Sequence, residues 1–406
     1  MMRKSRVKSS VVVLGLLTAF VSARPAGAVS LSEWLPGLKA DVFLTERLEY
    51  ESNIFQTRRS SEDLVSRTSP GFIVDFSGVT TTLSAGYRAE LLHFFRHNDQ
   101  DDTHHIAFGS LAVNLPKLSV RAREDYVKTS DPPNTELTGR IESTTNTFAP
   151  EVEYRLTDRL SVATNFAWTK VDFPKLKELS RDEYLYGGTV FWRFADKAQL
   201  GLLYNHGEKN FTHLNTVAVN GINANRDVTR DLIAFRLRGD LTSKLSAGFN
   251  AGYEIRSAQA ANGKDAHGIV FGGNFTYRPT DRTTFSLLAN RSYEESTFAV
   301  TSPNGLFFTS TSLTLLAEQQ FTTKLRGNIR VTGVENDYPV KQADPPVHPG
   351  FSFREDNLWG WGGGLNYNIQ RWLIVGADYS HSTRDSNFKE FKYQDDKISG
   401  SVTLRF

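Results

Sequence analysis

His104 and His105 follow Asn98-Asp99-Gln100-Asp101-Asp102, which places an imidazole pair close to three carboxylates. Imidazole and carboxylate together can hold a divalent cation. The stretch reads as an exposed polar loop, where acidic side chains are ordinarily just hydrated, so the metal reading is weak. His206, His381 and Ser382, with Asp and Asn nearby, supply the types needed for a nucleophile, a base and an orienting group. Such a set must converge within hydrogen-bond reach, and no spacing joins these residues. Neither G-x-S-x-G nor H-E-x-x-H occurs. Gly360-Trp361-Gly362-Gly363-Gly364 is rich enough in glycine to cradle a phosphate, but that use requires a strand before it and a helix after it. Here an alternating pattern runs straight through. These residues predict neither an enzyme nor a cofactor or metal requirement.

The residues that do recur in a pattern are charged ones at every second position. Near Leu245, one set is Leu245, Ala247, Phe249, Ala251, Tyr253 and Ile255, and the other is Ser246, Gly248, Asn250, Gly252, Glu254 and Arg256. Trp359, Trp361, Leu365, Tyr367 and Ile369 alternate with Gly and Asn, and Leu325, Ile329 and Val331 with Arg326, Asn328 and Arg330. A period of two marks strands with one apolar and one polar face. The chain ends inside such a strand, with Ile398, Gly400, Val402, Leu404 and Phe406 on one face.

The beginning of the chain predicts export. Arg3, Lys4, Arg6 and Lys8 precede an uncharged apolar run at 11–21, and Ala26-Gly27-Ala28 is a cleavage pattern. This reads as a signal peptide over 1–28. The apolar run is about half of the roughly 20 residues a spanning helix needs. Residues 1–28 hold five of the 47 Lys and Arg and none of the 45 acids, so the remainder carries 42 basic against 45 acidic residues, net −3. The apparent basicity therefore gives no argument for nucleic acid. With no cysteine, disulfides and thiolate metal sites are excluded. A negative mean hydropathy with 28 Phe, 14 Tyr and 6 Trp suits strands that show lipid only alternate residues and carry aromatic girdles.

Short polar turns (156–159, 195–197, 241–244, 279–282, 321–324, 368–371) alternate with long polar stretches (52–63, 97–103, 128–140, 172–181, 210–228, 258–266, 297–307, 338–354, 384–391). Nine long loops imply nine hairpins. The fold predicted is an all-β transmembrane antiparallel barrel of the bacterial outer membrane, with about 18 strands, short periplasmic turns and long extracellular loops. Its parts would be a signal peptide (1–28), a short periplasmic segment (29–37) with no room for a plug, and the barrel (38–406). The loop from Tyr338-Pro339 to Pro349-Gly350 is stiff by composition and is either a constriction at the mouth or a rigid exposed loop.

In such a barrel, Arg or Lys on the lipid face costs roughly 2–4 kcal/mol at the midplane, so charges should turn inward. The lumen-lining candidates are Arg47, Arg88, Arg121, Arg123, Arg155, Arg193, Arg236, Arg238, Arg256, Arg326 and Arg330, with Glu151, Glu153, Glu254 and Glu318. They either stiffen a watery lumen or form rings that set selectivity.

The ending Gly400-x-Val402-x-Leu404-x-Phe406 resembles the C-terminal assembly signal of bacterial outer-membrane proteins, which implies recognition by the barrel-assembly machinery. Tyr50-Glu51-Ser52-Asn53-Ile54-Phe55 followed by Ser69-Pro70-Gly71, and Leu365-x-Tyr367, Arg371-Trp372-Leu373, Tyr379-Ser380, Arg384-Asp385-Ser386-Asn387 and Phe391-x-Tyr393, resemble a family of outer-membrane β-barrels associated with exopolysaccharide gene clusters. The resemblance implies an 18-stranded barrel that exports extracellular polysaccharide with periplasmic and inner-membrane partners. Outer-membrane lipid and lipopolysaccharide would be its other neighbours. Two readings stand beside it: a passive diffusion porin for small hydrophilic solutes, and a non-channel surface or adhesion barrel acting through 210–228 and 338–354.

Overall fold

A computed structural model describes residues 36–132, 136, 139–213, 215–219, 222–224, 226–259, 265–296, 307–339, 342–343 and 351–406. The strands are β1 (Leu38–Glu51), β2 (Asp63–Ser77), β3 (Thr81–Phe94), β4 (Asp102–Asn114), β5 (Leu118–Thr129), β6 (Ser143–Arg155), β7 (Leu160–Asp172), β8 (Arg181–Ala195), β9 (Ala198–Phe211), β10 (Asn215–Val219), β11 (Ile222–Ala224), β12 (Val228–Asp240), β13 (Leu245–Ala258), β14 (Ala266–Thr280), β15 (Thr283–Glu295), β16 (Phe307–Gln320), β17 (Leu325–Asp337), β18 (Gln342–Ala343), β19 (Phe351–Ser352), β20 (Glu355–Gln370), β21 (Leu373–Ser386) and β22 (Tyr393–Arg405).

Eighteen of them form one antiparallel sheet in chain order, and β22 returns to pair with β1 from Phe43↔Arg405 to Glu51↔Lys397. Two backbone bonds between Val42 and Phe406, 3.0 and 2.8 Å, extend that seam to the last residue. Closure leaves the sheet no free edge. The four other short strands pair as β10–β11 and β18–β19, within two segments that the sequence reading treats as plain loops.

The short turns share one chemistry. Thr157, Thr242 and Thr322 each accept backbone N–H bonds at their hydroxyl from the residues two and three positions on, at 2.9–3.2 Å. A side chain that closes its own turn this way keeps the hairpin tight. At the other rim the connections run from 6 residues upward, and several fold back on the barrel end. The signal segment and nearly all of 29–37 lie outside the described residues, as does most of the proline-rich loop.

Register separates two faces. Val42, Phe72, Leu83, Val190, Leu202, Ile233, Phe235, Ile269, Leu315, Ile329, Trp359, Trp361 and Ile398 share one face through successive pairings and are all exposed. Ile269 and Phe235 reach 68% and 65% exposure, values no water-facing surface sustains in a continuous belt. The opposite face is the concave one, because its side chains meet across strands that are not neighbours. A closed antiparallel sheet with an apolar belt outside and charges within is an outer-membrane β-barrel.

The wall has one irregularity. β14 and β15 pair only from Phe271↔Arg291 downward, although β13 accompanies β14 to Ala266 and β16 accompanies β15 to Glu295. Above that point β15 leans inside the wall. Tyr293 packs against Leu203, Leu232, Ala234 and Val270, side chains of the concave face of β9, β12 and β14.

Candidate functional site: the charged lumen

Every lumen candidate sits on the concave face by register: Arg47 on β1, Arg88 on β3, Arg121 and Arg123 on β5, Glu151, Glu153 and Arg155 on β6, Arg193 on β8, Arg236 and Arg238 on β12, Glu254 and Arg256 on β13, Glu318 on β16, and Arg326 and Arg330 on β17. The barrel brings some of them together and leaves others apart.

The first group bridges β6 and β12, which have three strands between them. Arg238 Nη2 lies 2.7 Å from both Glu153 carboxylate oxygens, and its Nε donates to Gln199 at 2.7 Å. Ser161 donates to the same carboxylate at 2.7 Å. The Arg238 guanidinium stacks 3.7 Å above the Phe191 ring, which is fully buried beneath it. Arg121 donates to Glu151 at 3.2 Å, and Arg236 and Arg238 lie within 3.9 Å of it. These contacts draw β6 and β12 together across β7–β9 and narrow the lumen at their level.

A second group lies nearer the long-loop rim. Glu254 accepts from Arg256 at 3.0 Å and forms an ion pair with Arg230 at 2.8 Å, while Arg256 reaches Glu295 at 2.7 Å and Lys209 pairs with Glu295. Lys209, Arg230 and Glu295 were absent from the sequence candidates. Lys209 and Arg230 continue the inward alternation of their strands, so extending those strands would have found them. Glu295 has outward parity and turns inward only because β15 leans into the barrel, which no local pattern announces. Arg88 pairs with Glu90 at 2.9 Å, and Arg123 with Asp125 on its own strand at 2.8 Å. Arg155, Arg193, Arg326 and Glu318 make no ion pair among the described residues.

The segment that enters the mouth lies between β5 and β6. Glu136 is buried and accepts from Ser296 beyond β15 at 2.9 Å, with Arg354 ahead of β20 at 4.0 Å. These contacts cross to the opposite wall. Arg354 donates to Asp356 at 3.0 Å and stacks 3.6 Å over Phe391 and 4.6 Å over Tyr338. Burial, then the Glu136 carboxylate, pushes the Tyr338 phenol well above its ordinary range. Burial likewise lowers the Arg140 guanidinium at the foot of the entering segment, where it packs on Phe94. Of the proline-rich loop expected here, the described part includes its two feet, Tyr338 and Arg354, both packed into this cluster.

One open part of the lumen lies against β3–β9 on the long-loop side, a cavity of about 710 Å³; another lies against β17, β20, β21, β22 and β1. A cavity of about 530 Å³ is lined there by Arg47, Arg330, Lys397, Glu49, Asp378 and a set of hydroxyls from Ser380, Ser382, Ser399 and Thr332. Gly362 and Gly364 leave the room: a Cβ on Gly364 would meet the Asp378 carboxylate at 2.1 Å.

The chemistry-bearing residues do not assemble. His104 and His105 lie within β4 rather than in a loop, so they face opposite ways: His104 inward against Ser130 at 3.0 Å, His105 outward against Tyr87 at 2.7 Å. His206 bonds Asp231 and His381 bonds Asp396, each at 2.8 Å, on the outer face of distant strands. Ser382 faces inward, away from His381. Not every charge turns inward. Glu46, Glu124 and Arg291 have outward parity, and Glu46 keeps its carboxylate there with bonds of 2.6 Å from Ser66 and Thr68. Gly400, Val402 and Leu404 face outward along the closing seam, ahead of Phe406.

Among solved structures, the chain is similar to OpdQ of Pseudomonas aeruginosa (11% identity over 92% of this chain and 100% of that one, TM-score 0.46), to the P. aeruginosa outer membrane protein OpdK (13%, 91% and 99%, 0.46) and to OccAB3 of Acinetobacter baumannii (11%, 91% and 99%, 0.44). No sequence among the curated proteins matches it. A sequence model of the family described as "Putative beta-barrel porin 2" matches residues 217–406, the stretch from β10 to the closing strand.

Proposed function

We propose that the barrel is a passive diffusion channel for small hydrophilic solutes. The observation that carries this reading is the lumen's division. One side is bridged by Arg238 and Glu153 over Phe191, Glu136 crosses the mouth, and the space left is divided into separate cavities, one of about 530 Å³ lined by hydroxyls and both signs of charge and one of about 710 Å³ lined by Arg88, Glu90, Arg181, Glu183 and Lys209. Such walls replace a solute's water without holding it tightly, the condition for conduction. The narrowing supports small solutes over a polymer. Purified protein in liposomes should permit swelling with arabinose and glucose, more slowly with sucrose, and give steady conductance in planar bilayers. A barrel silent in both assays would refute the reading.

A second reading, export of an extracellular polysaccharide, is supported by the resemblance of the chain's two ends to the exopolysaccharide-associated family. A periplasmic export protein would then dock on the short-turn rim. Deleting the gene should abolish surface polysaccharide, and a deletion strain with normal polysaccharide removes this reading.

A further inference from the structure

The short-turn rim carries a charge pattern that the ion pairs above do not absorb. A separate cavity of about 380 Å³ opens there, between the ends of β4–β9 and β12. Six cations line it: Lys117, Arg121, Arg155, Arg193, Lys197 and Arg238. One carboxylate, Glu153, lines it with them, and it is already engaged by both Arg238 and Ser161. Arg121 is committed to Glu151. Lys117, Arg155, Arg193 and Lys197 remain, and among the described residues none has a carboxylate within ion-pair distance or donates a side-chain hydrogen bond to protein.

Their clustering is fixed by the backbone. Arg155 N–H donates to the Lys117 carbonyl at 2.7 Å, Arg193 N–H to the Arg159 carbonyl at 2.8 Å, and Asp240 N–H to the Lys197 carbonyl at 2.9 Å. Each bond ties the end of one strand to the turn beside it, so the cations cannot spread apart without breaking the sheet. Four uncompensated positive charges around one concavity repel each other, and low-dielectric walls focus their field into it. The volume lies within the range of small-molecule sites. Guanidinium groups offer planar paired donors to oxyanions, and the two lysines add point charges.

We propose that this cavity binds a small polyvalent oxyanion, one carrying two or more phosphate or carboxylate charges, at the periplasmic mouth. The site extends the channel reading by naming a class of solute, but its occupancy does not require conduction.

The test is equilibrium dialysis of detergent-solubilised barrel against radiolabelled inorganic pyrophosphate at low ionic strength. Saturable binding near one equivalent is expected, weakening as salt is raised. Arg155→Gln with Arg193→Gln should weaken it at least tenfold, whereas Arg155→Lys with Arg193→Lys should retain most of it. Arg330→Gln, in the other cavity, should leave it unchanged. Heat-modifiable migration on gels reports folding of each variant. Absence of saturable binding, or equal binding by the double glutamine variant, overturns the proposal, as does loss of binding in Arg330→Gln alone. A barrel that binds pyrophosphate and conducts nothing would refute the channel reading and leave this site standing.

Discussion

The contact between Arg238 and Glu153 means that β6 and β12, with three strands between them, touch through the lumen. A double-mutant cycle with Glu153→Gln and Arg238→Gln tests it. The guanidinium and carboxylate make two bonds of 2.7 Å with side chains 21% and 13% exposed. At a charge separation of about 4 Å and an effective dielectric near 20, the direct attraction is about 4 kcal/mol. Desolvation of both groups and residual screening take back much of that, leaving about 1–3 kcal/mol of coupling. Arg238→Gln should be the worse single change, because Glu153 is left with Ser161 and no cation while Phe191 loses its cover. Glu153→Gln leaves Arg238 bonded to Gln199, with Glu151 at 3.8 Å. The assay is the guanidinium unfolding midpoint in detergent, read by tryptophan emission, for wild type, both singles and the double. Strictly additive effects would mean that the two strands do not meet and that the lumen is rounder than described.

Two further perturbations separate the faces and the backbone. Ile233→Arg places a cation on the exposed belt of β12 and should cost about 2–4 kcal/mol, visible as loss of the heat-modifiable form, whereas Asn250→Arg on the concave face of β13 should assemble normally; equal behaviour would contradict the assigned faces. Gly239 holds φ at +114°, and a Cβ there would lie 1.9 Å from the Lys197 carbonyl oxygen, so Gly239→Ala should lower stability by at least about 1–3 kcal/mol, while Gly109→Ala, with open space around its Cβ, should be neutral in the same unfolding measurement.

The barrel was legible because its information is local. Alternation at Leu245–Arg256 and Leu325–Val331 fixes both strand and face, and the Thr-containing turns at Thr157, Thr242 and Thr322 mark where three of the hairpins reverse. Strand boundaries blurred where polarity continued past the end of pairing, as at Asp102–His105, whose charges look like loop and behave as strand. The inward parity of Arg238 and Glu153 could be read from sequence, but not their meeting, which depends on how sharply β7–β9 curl. Glu136 gave no signal at all, since a single glutamate in a polar loop looks the same whether it is hydrated or spans the mouth. The lean of β15 was equally silent, because it arises from the missing pairing with β14 above Phe271 and not from any residue type. The hydroxyls around Glu46 show why face rules have exceptions: a carboxylate tolerates the outer face when two neighbours donate to it.

The motifs near the two ends of the chain meet in the fold. The Tyr50–Phe55 motif and the last hairpin are neighbours across the closing seam. Asn53 donates its backbone N–H to Asp395 at 2.9 Å and its side-chain amide to the Gln394 carbonyl at 3.1 Å. Ser52 donates to Asp395 at 3.1 Å, and Lys397 to Glu51 at 2.6 Å. Asn387, in the other resembling motif, donates to the Phe353 carbonyl at 2.6 Å and accepts from Glu355 N–H at 3.0 Å. The contacts of Ser52, Asn53 and Lys397 join the first and last strands, more than 300 positions apart in sequence, whereas those of Asn387 tie the end of β21 to the start of β20. Closing a loop of that length carries a large entropic cost, and a specific network at the seam makes one register of closure preferred over its neighbours. The resemblance of these motifs therefore speaks for how the barrel closes and not for a solute.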